Sequence, residues 1–393
     1  MLLRRPVIPF DPISQTLRLW HNIWYNIWRF LTYGIIYGIF YGMKNLLKTQ
    51  LSPITLKYIQ KIGGFNELWE ISKDANREIY AGLKKTTIIT SAGASTRIEG
   101  AQLTDEEIVQ KLEGLHIKKI ADRDEAEVAG YIDCIKYIFD HFQELDISEH
   151  TIRSLHQMMC SYLAGDVLPP EQRGSYKNVP NSVVKIEHAT GESEIIFETT
   201  PPGVQTETEM KNLISDYNEF IDDPNYSDLE VIAAFIVKFL AIHPFRDGNG
   251  RMARLLTNFC LLKRGYEFCM YTSHEKIVED NKDAYYISLR QTQATIKTSP
   301  DLNPWLIFFL KALGEQIGFL KKLLIPKKPG RLTALAEKAL EAIRANQPVS
   351  IGFLERQTGI KRVTLKNILA RLKDENIIEM EGSRKGSVYR IKG

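Results

Sequence analysis

The chain has 393 residues, 44% of them hydrophobic and 25% charged. That balance is ordinary for a soluble globular protein and excludes a wholly disordered chain, a collagen and a polytopic membrane protein. The length suggests two or three domains at roughly 100–200 residues each. The formal charge of +3 is unevenly spread: residues 1–50 carry +5, residues 51–330 carry −8 and residues 331–393 carry +6. An acidic body therefore lies between two basic ends suited to different partners.

From His21 the chain parses into four-residue blocks, HNIW, YNIW, RFLT, YGII, YGIF and YGMK. On a helix these would form stripes of Trp20, Trp24 and Trp28, and of Gly34, Gly38 and Gly42. A membrane anchor with a GxxxG-like face is one reading. Against it, the uncharged run Phe30–Met43 has only 14 residues, short of the roughly 18 that span a bilayer. A signal peptide also fits poorly, since the apolar run is far from the start and no small-residue cleavage site follows. A strict four-residue repeat is also what a duplicated twelve-base tract gives on translation, with Met43 as the start. A dispensable leader, peripheral membrane contact and packing on the body all stay open; a spanning segment is not expected.

Leu51 to about Leu320 reads as mainly helical. Apolar residues recur at 3–4 spacing through 55–90, 105–120, 124–143, 150–163, 207–221, 228–242, 249–263 and 303–323. Residues 182–198 break this pattern, with two β-branched runs around a polar turn containing Gly191, and read as a β-hairpin. Cys134, Cys160, Cys260 and Cys269 form no CxxC pair or zinc-like cluster. They read as reduced core thiols, which agrees with a cytoplasmic location.

The most informative stretch is Ala241–Arg254, AIHPFRDGNGRMAR. Ser227 and Glu230 make a capping-box pattern for the helix before it, and Pro244 ends that helix at His243. Gly248 and Gly250 permit tight backbone approach. The next helix then points its unpaired amides and positive dipole end into the loop, which makes an anion site. Asp247 can hold Mg²⁺, which takes one or two carboxylates plus phosphate oxygens. His243 is the natural general base near neutral pH, and Arg251 and Arg254 share one helix side. A cation, an anion cradle, a base and arginines are what phosphoryl or nucleotidyl transfer needs.

IPKKPG (325–330) reads as a linker. The helical pattern LTALAEKALEAIRAN follows it, and then a small module reading helix, turn at Gly359, helix and hairpin. Its second helix puts Arg362, Lys366 and Lys373 outside and Leu365, Leu369 and Leu372 inside, with a basic hairpin tip at Arg384 and Lys385. The module (331–393) resembles a winged helix, some of which place a helix in the DNA major groove.

HPFRDGNGRMAR resembles the Fic family motif HPFx(D/E)GNGRxxR, agreeing at every fixed position, and the resemblance spans about Leu51–Leu320. It implies a Fic-type helical domain (51–324) with a β-hairpin flap and the transfer of AMP from Mg²⁺-ATP to Ser, Thr or Tyr hydroxyls of target proteins and of itself. Carried over, His243 would deprotonate the target hydroxyl and Asp247 would bind Mg²⁺. The nucleotide would lie along Phe245, Arg246, Asp247, Gly248, Asn249, Gly250, Arg251 and Arg254. Within that stretch Phe245 would be a core anchor, residues 248–250 would line the anion hole, and Arg254 would take the γ-phosphate. Gly250 favours AMP transfer over the phosphate transfer of the related Doc kinases, which carry Lys there.

The hairpin, through Val183, Val184 and Lys185, would be the target-docking flap, pairing by strand addition. RGSYK (173–177) resembles the stretch at the flap base, with Lys177 in place of the usual Arg. Tyr285 and Gln293 would touch the adenine, although Tyr285 and Tyr286 read equally as helix core. STRIEG (95–100) resembles the family's inhibitory motif, in which Glu99 would form a bidentate pair with Arg254 and block the γ-phosphate place. Such proteins can also remove AMP. The alternative function is a DNA-binding transcriptional regulator whose Fic domain senses ATP, but the intact His243 favours catalysis. UMP or phosphocholine transfer stays open, as do DNA at 350–391 and a homodimer.

Overall fold

The computed structural model describes residues 42–72, 77–114, 122–186, 193–324, 333–374, 377–382 and 387–392. Most of the aromatic leader, the IPKKPG linker, the hairpin turn with Gly191 and the Arg384–Lys385 tip lie outside these residues. So do the side chains of Val183, Val184 and Lys185. The chain divides between Leu320 and Lys321 into two compact units.

In the first unit, α1 (Met43–Leu46), α2 (Pro53–Ser72), α3 (Arg77–Ile98), α4 (Asp105–Gly114), α5 (Arg123–His141) and α6 (Glu149–Met159) precede a hairpin of β1 (Ser182–Ile186) and β2 (Ser193–Glu198). After it come α7 (Val204–Phe220), α8 (Asp228–Ile242), α9 (Asn249–Lys263), α10 (His274–Asp280), α11 (Lys282–Thr295) and α12 (Asn303–Leu324), whose last turn runs past the division. Over the described residues the expected helices and the hairpin strands are present, with the 150–163 pattern ending early at Met159; residues 73–76 of the 55–90 pattern and 115–120 of the 105–120 pattern lie outside the described residues. Several starts are fixed by side-chain caps: Asp122 accepts the amides of Asp124 and Glu125, Ser148 that of Thr151 and Ser273 that of Lys276. The expected cap at Ser227 is corrected, because its side chain makes no capping bond. Only the reach-back half of the capping box forms, with Glu230 bonded to the Ser227 backbone; burial raises the Glu230 pKa to about 7.

Helix α8 is the axis of this unit. Every side chain from Leu229 to Ile242 is buried, and the Trp305 indole of α12 donates to its Ala233 carbonyl at 2.8 Å. Helices α5 and α6 meet at Gly130, where the backbone carbonyl of Met159 occupies the space a Cβ would need. The four cysteines are free and buried, and burial pushes the Cys160 and Cys260 thiols up to about 12. No helix among the described residues is long and apolar enough to cross a membrane.

The second unit runs α13 (Ala334–Asn346), β3 (Val349–Ser350), α14 (Ile351–Thr358), α15 (Arg362–Asp374), β4 (Ile378–Glu381) and β5 (Val388–Ile391). Its antiparallel sheet has the order β3-β5-β4. Gly359, at φ +67°, ends α14 in the left-handed conformation that glycine adopts without penalty. Leu365, Leu369 and Leu372 of α15 point into a core with Leu340, Ile343 and Leu354, and Arg362, Lys366 and Lys373 are exposed. The short strand β3 is an addition to the sequence reading.

Gly130→Ala should destabilise the first unit by about 2–3 kcal/mol, the cost of overpacking a tight contact, measured by the denaturant midpoint.

Candidate active site

The site is built on the corner between α8 and α9. Pro244 disfavours helical backbone at His243, which instead takes φ 53° and ψ 59°. His243 is the one non-glycine residue at positive φ among the described residues. The loop that follows is braced internally. Asn249 accepts the Phe245 amide at 2.9 Å and returns a bond to the Phe245 carbonyl at 2.7 Å. Asn249 thus spends its side chain on the loop, and its backbone amide is what it can offer an anion. Phe245 is fully buried and stacks on His156 with centroids 3.7 Å apart, which fits the core-anchor reading.

Gly248, at φ 75°, caps α9. The amides of Asn249, Gly250 and Arg251 therefore have no partner inside the helix. Asp247 accepts the Gly248 amide through Oδ1 at 2.7 Å, leaving Oδ2 near Arg251 at 3.4 Å and Arg123 at 3.6 Å. Arg251 is 2% exposed, and its Nε and Nη1 lack hydrogen-bond partners among the described residues. Nη1 instead faces Glu127 as an ion pair at 3.2 Å. A buried guanidinium with spare donors beside a helix N-terminus suits an oxyanion such as phosphate.

Arg254 is equally buried, but its donors are used. Nε donates to Ser95 Oγ at 2.8 Å, and Nη2 donates to the Ser95 carbonyl at 2.9 Å and to Glu99 Oε1 at 2.8 Å. The expected bidentate Glu99–Arg254 pair is corrected to a one-point contact, with Ser95 taking the neighbouring donors. Burial alone would push the Glu99 carboxyl up, but the charge and hydrogen bond of Arg254 hold it below its usual value. Gly100, at φ +112°, turns the chain away just beyond this contact. The Glu99 carboxylate rests on Gly250 where a side chain would otherwise project. Glycine at 250 therefore makes room for Glu99.

His243 is half-buried. Its Nδ1 lies 3.2 Å from the Leu240 carbonyl, and a carbonyl only accepts, so Nδ1 carries the proton and Nε2 keeps its lone pair. Burial lowers its pKa to about 4, assisted by the charge of Lys177. It is a neutral base at physiological pH.

Arg246 is exposed on the loop. Tyr285 is buried on α11 among Tyr286, Trp305 and Phe308, with the charges of Arg254 and Glu99 acting on its hydroxyl. It is thus a core residue with its polar end toward the site. Gln293, two turns further along, is also buried. The strands carrying Val183, Val184 and Lys185 pair antiparallel with Phe197, Ile195 and Glu194, with a bulge between the two valines.

Three residues escaped the sequence reading. His156 accepts the Gly174 amide through Nδ1 at 2.9 Å and faces the Asp247 carbonyl through Nε2 at 3.1 Å, so it joins the RGSYK segment to the loop. Glu127 holds Arg251 and, at 2.9 Å, Arg123. Arg123 brings a further cation to the pocket mouth. Only the acidic run in α5 hinted at Glu127, and the helical spacing of His156 marked it as core.

The carboxylates, histidines and cysteines form no group of three able to hold a metal among the described residues. Asp247 offers one partly exposed oxygen between two arginines, a fit for a cation that arrives with phosphate oxygens and not for a protein-caged metal.

Residues 146–261 match the Fic/DOC family profile, and the matched stretch contains the His243–Arg254 motif. A Fido domain-containing protein of Dictyostelium discoideum is 39% identical over 84 residues, covering 21% of this chain and 54% of that protein. The protein adenylyltransferase Fic of Nematostella vectensis is 34% identical over 71 residues, 18% of this chain and 17% of that one. The chain thus spans about half the length of the first relative and about a sixth of the second. A solved Fic family protein from Desulfovibrio desulfuricans superposes with a TM-score of 0.56 at 21% identity, covering 88% of this chain and 97% of that one, a likeness of fold.

His156 and His243 both have pKa values lowered to about 4 by burial, against about 6.5 in an unfolded chain. As pH falls, the unfolded state binds protons first, so stability should decline from about pH 6.5 toward 4. NMR should find both rings neutral at pH 6, and either ring titrating near 6.5 would contradict its burial.

Proposed function

We propose that this chain is a protein adenylyltransferase that moves AMP from ATP to hydroxyl side chains of target proteins and of itself, and that Glu99 restrains it. The observation carrying this reading is the convergence at one corner. A neutral imidazole with a free Nε2, a lone carboxylate, a helix N-terminus and two buried arginines meet, and a carboxylate sits on the second arginine. His243 takes the proton of the incoming hydroxyl. The hydroxyl oxygen attacks the α-phosphorus, the bond to the β-phosphate oxygen breaks, and pyrophosphate leaves with its electrons. Asp247 would hold Mg²⁺, which when bound neutralises charge on the phosphates. Arg251 and the first amides of α9 receive the equatorial oxygens. Arg254 receives the terminal phosphate when Glu99 leaves it.

Glu99→Gly should raise self-modification about 10- to 100-fold, the worth of one charge-assisted hydrogen bond. The readout is the mass of the AMP adduct, and equal labelling of both proteins would defeat the autoinhibition. In that background His243→Ala should reduce transfer by about a hundredfold or more while nucleotide still binds; persistent adduct would remove the base assignment.

For the second unit we propose a nucleic-acid surface on α15, on the ground that Arg362, Lys366 and Lys373 are exposed on one element. Binding in a shift assay should weaken steeply with added salt, and a flat salt response would contradict phosphate contact.

A further inference from the structure

Lys177 is 1% exposed and, among the described residues, has no carboxylate within bonding distance. Its ammonium donates to three neutral oxygens: Asn181 Oδ1 at 2.7 Å, Thr199 Oγ1 at 2.8 Å and the Ile242 carbonyl at 3.0 Å. Burying an ammonium is costly even with every donor satisfied, so its location calls for an explanation. Asn181 stands one residue before β1 and Thr199 one residue after β2. The two feet of the hairpin are tied to each other, with the Thr199 hydroxyl 2.6 Å from Asn181 Oδ1 and 2.8 Å from its carbonyl.

The same residues hold the chain around the base. Lys177 Nζ takes the carbonyl of Ile242 at 3.0 Å and Asn181 Nδ2 that of His243 at 3.4 Å. The Lys177 amide takes the carbonyl of Pro244 at 2.8 Å and Asn181 Nδ2 that of Phe245 at 2.9 Å. Four successive carbonyls, 242 to 245, are bound by two residues of the hairpin base. His243 sits among them at positive φ, a conformation that persists only where its surroundings over-determine it.

We propose that Lys177 is a positioning residue for the transfer reaction: its ammonium locks the hairpin feet and the His243 backbone into one unit, so that a target strand paired to the hairpin meets the base at a fixed distance. This rests on the adenylyltransferase reading above. Lys177 acts on the base in a second way, through charge. Among the described residues the charged groups acting on His243 are Lys177, Glu99 and Asp247, and of these Lys177 favours the neutral ring. The lysine's own pKa, lowered by burial to about 8 and supported by Glu209, leaves it mostly charged at neutral pH. Arginine, which the Fic resemblance leads one to expect here, carries the same charge and more donors.

The test compares Lys177→Met, Lys177→Arg and Thr199→Val in the Glu99→Gly background. Lys177→Met should lower kcat for AMP transfer by about ten- to a hundredfold, the cost of a misplaced reacting group, and leave KM for ATP little changed. Its acidic pH limb should move up by about half a unit or more, because a cation beside the imidazole is gone. Lys177→Arg should restore most of the turnover and the limb, and Thr199→Val, which keeps the charge, should lower kcat without moving the limb. Full turnover in Lys177→Met overturns the proposal, as does a loss that arginine does not rescue and that leaves the limb in place. If Lys177→Met fails to fold, Thr199→Val decides, and parent-like kcat there overturns the lock. A Glu99→Gly parent that transfers no AMP removes the functional reading instead. NMR titration of His243, which needs no activity, then tests Lys177 alone: an unchanged pKa in Lys177→Met overturns its action on the base.

Discussion

A guanidinium sealed inside a protein must find acceptors, and the site is organised around the way Arg254 finds its own. At 2% exposure it cannot turn to water, and it cannot give up its proton. Ser95 supplies two acceptors and Glu99 a third. All three come from the last turn of α3 and the residue just after it, so the position of that helix and the charge state of the pocket are one constraint. Any anion that takes the Glu99 position must displace a charge-assisted bond. Glycine at 250 follows from the same demand, because any side chain there would occupy the place of the Glu99 carboxylate.

The other half of the corner works by backbone. Pro244 prevents α8 from continuing, and the carbonyls it leaves unpaired are taken by Lys177, Asn181 and Asn249. His156 adds a bond across to the RGSYK segment. The base is therefore held by polar side chains from segments distant in sequence, in addition to the bonds that Asn249 and Asp247 make within the loop. Arg251 is the exception: among the described residues its Nε has no hydrogen-bond partner and its Nη1 has only the ion pair with Glu127.

Much of this was legible before the structure. Continuous apolar runs marked α8 and α9, and their facing ends were set by Pro244 and by the glycines of the loop. Pro244 marked the corner, and the string from His243 to Arg254 pointed to phosphate chemistry residue by residue. The Glu99 contact was accessible only through the likeness of STRIEG to a family motif. Its one-point geometry was not accessible, because nothing in the spacing reveals that Ser95 would claim the neighbouring donors. Glu127, His156 and the role of Lys177 stayed hidden for a common reason. Each acts through a contact between segments tens of residues apart, and a lone His or Lys on a helical or loop pattern carries no local mark of its partner. Ser227 misled in the opposite direction, since a good capping sequence left its side chain uncommitted.

The central claim is that Arg254 serves either Glu99 or a terminal phosphate, and not both together. Calorimetric affinities for ATP and ADP in the wild-type chain and in Glu99→Gly test it directly. The account predicts that the wild type binds the two nucleotides with similar affinity, because the third phosphate finds its place taken. Glu99→Gly should prefer ATP by about tenfold or more, the worth of a charge-assisted contact to Arg254. The same ATP-to-ADP ratio in both proteins would contradict it.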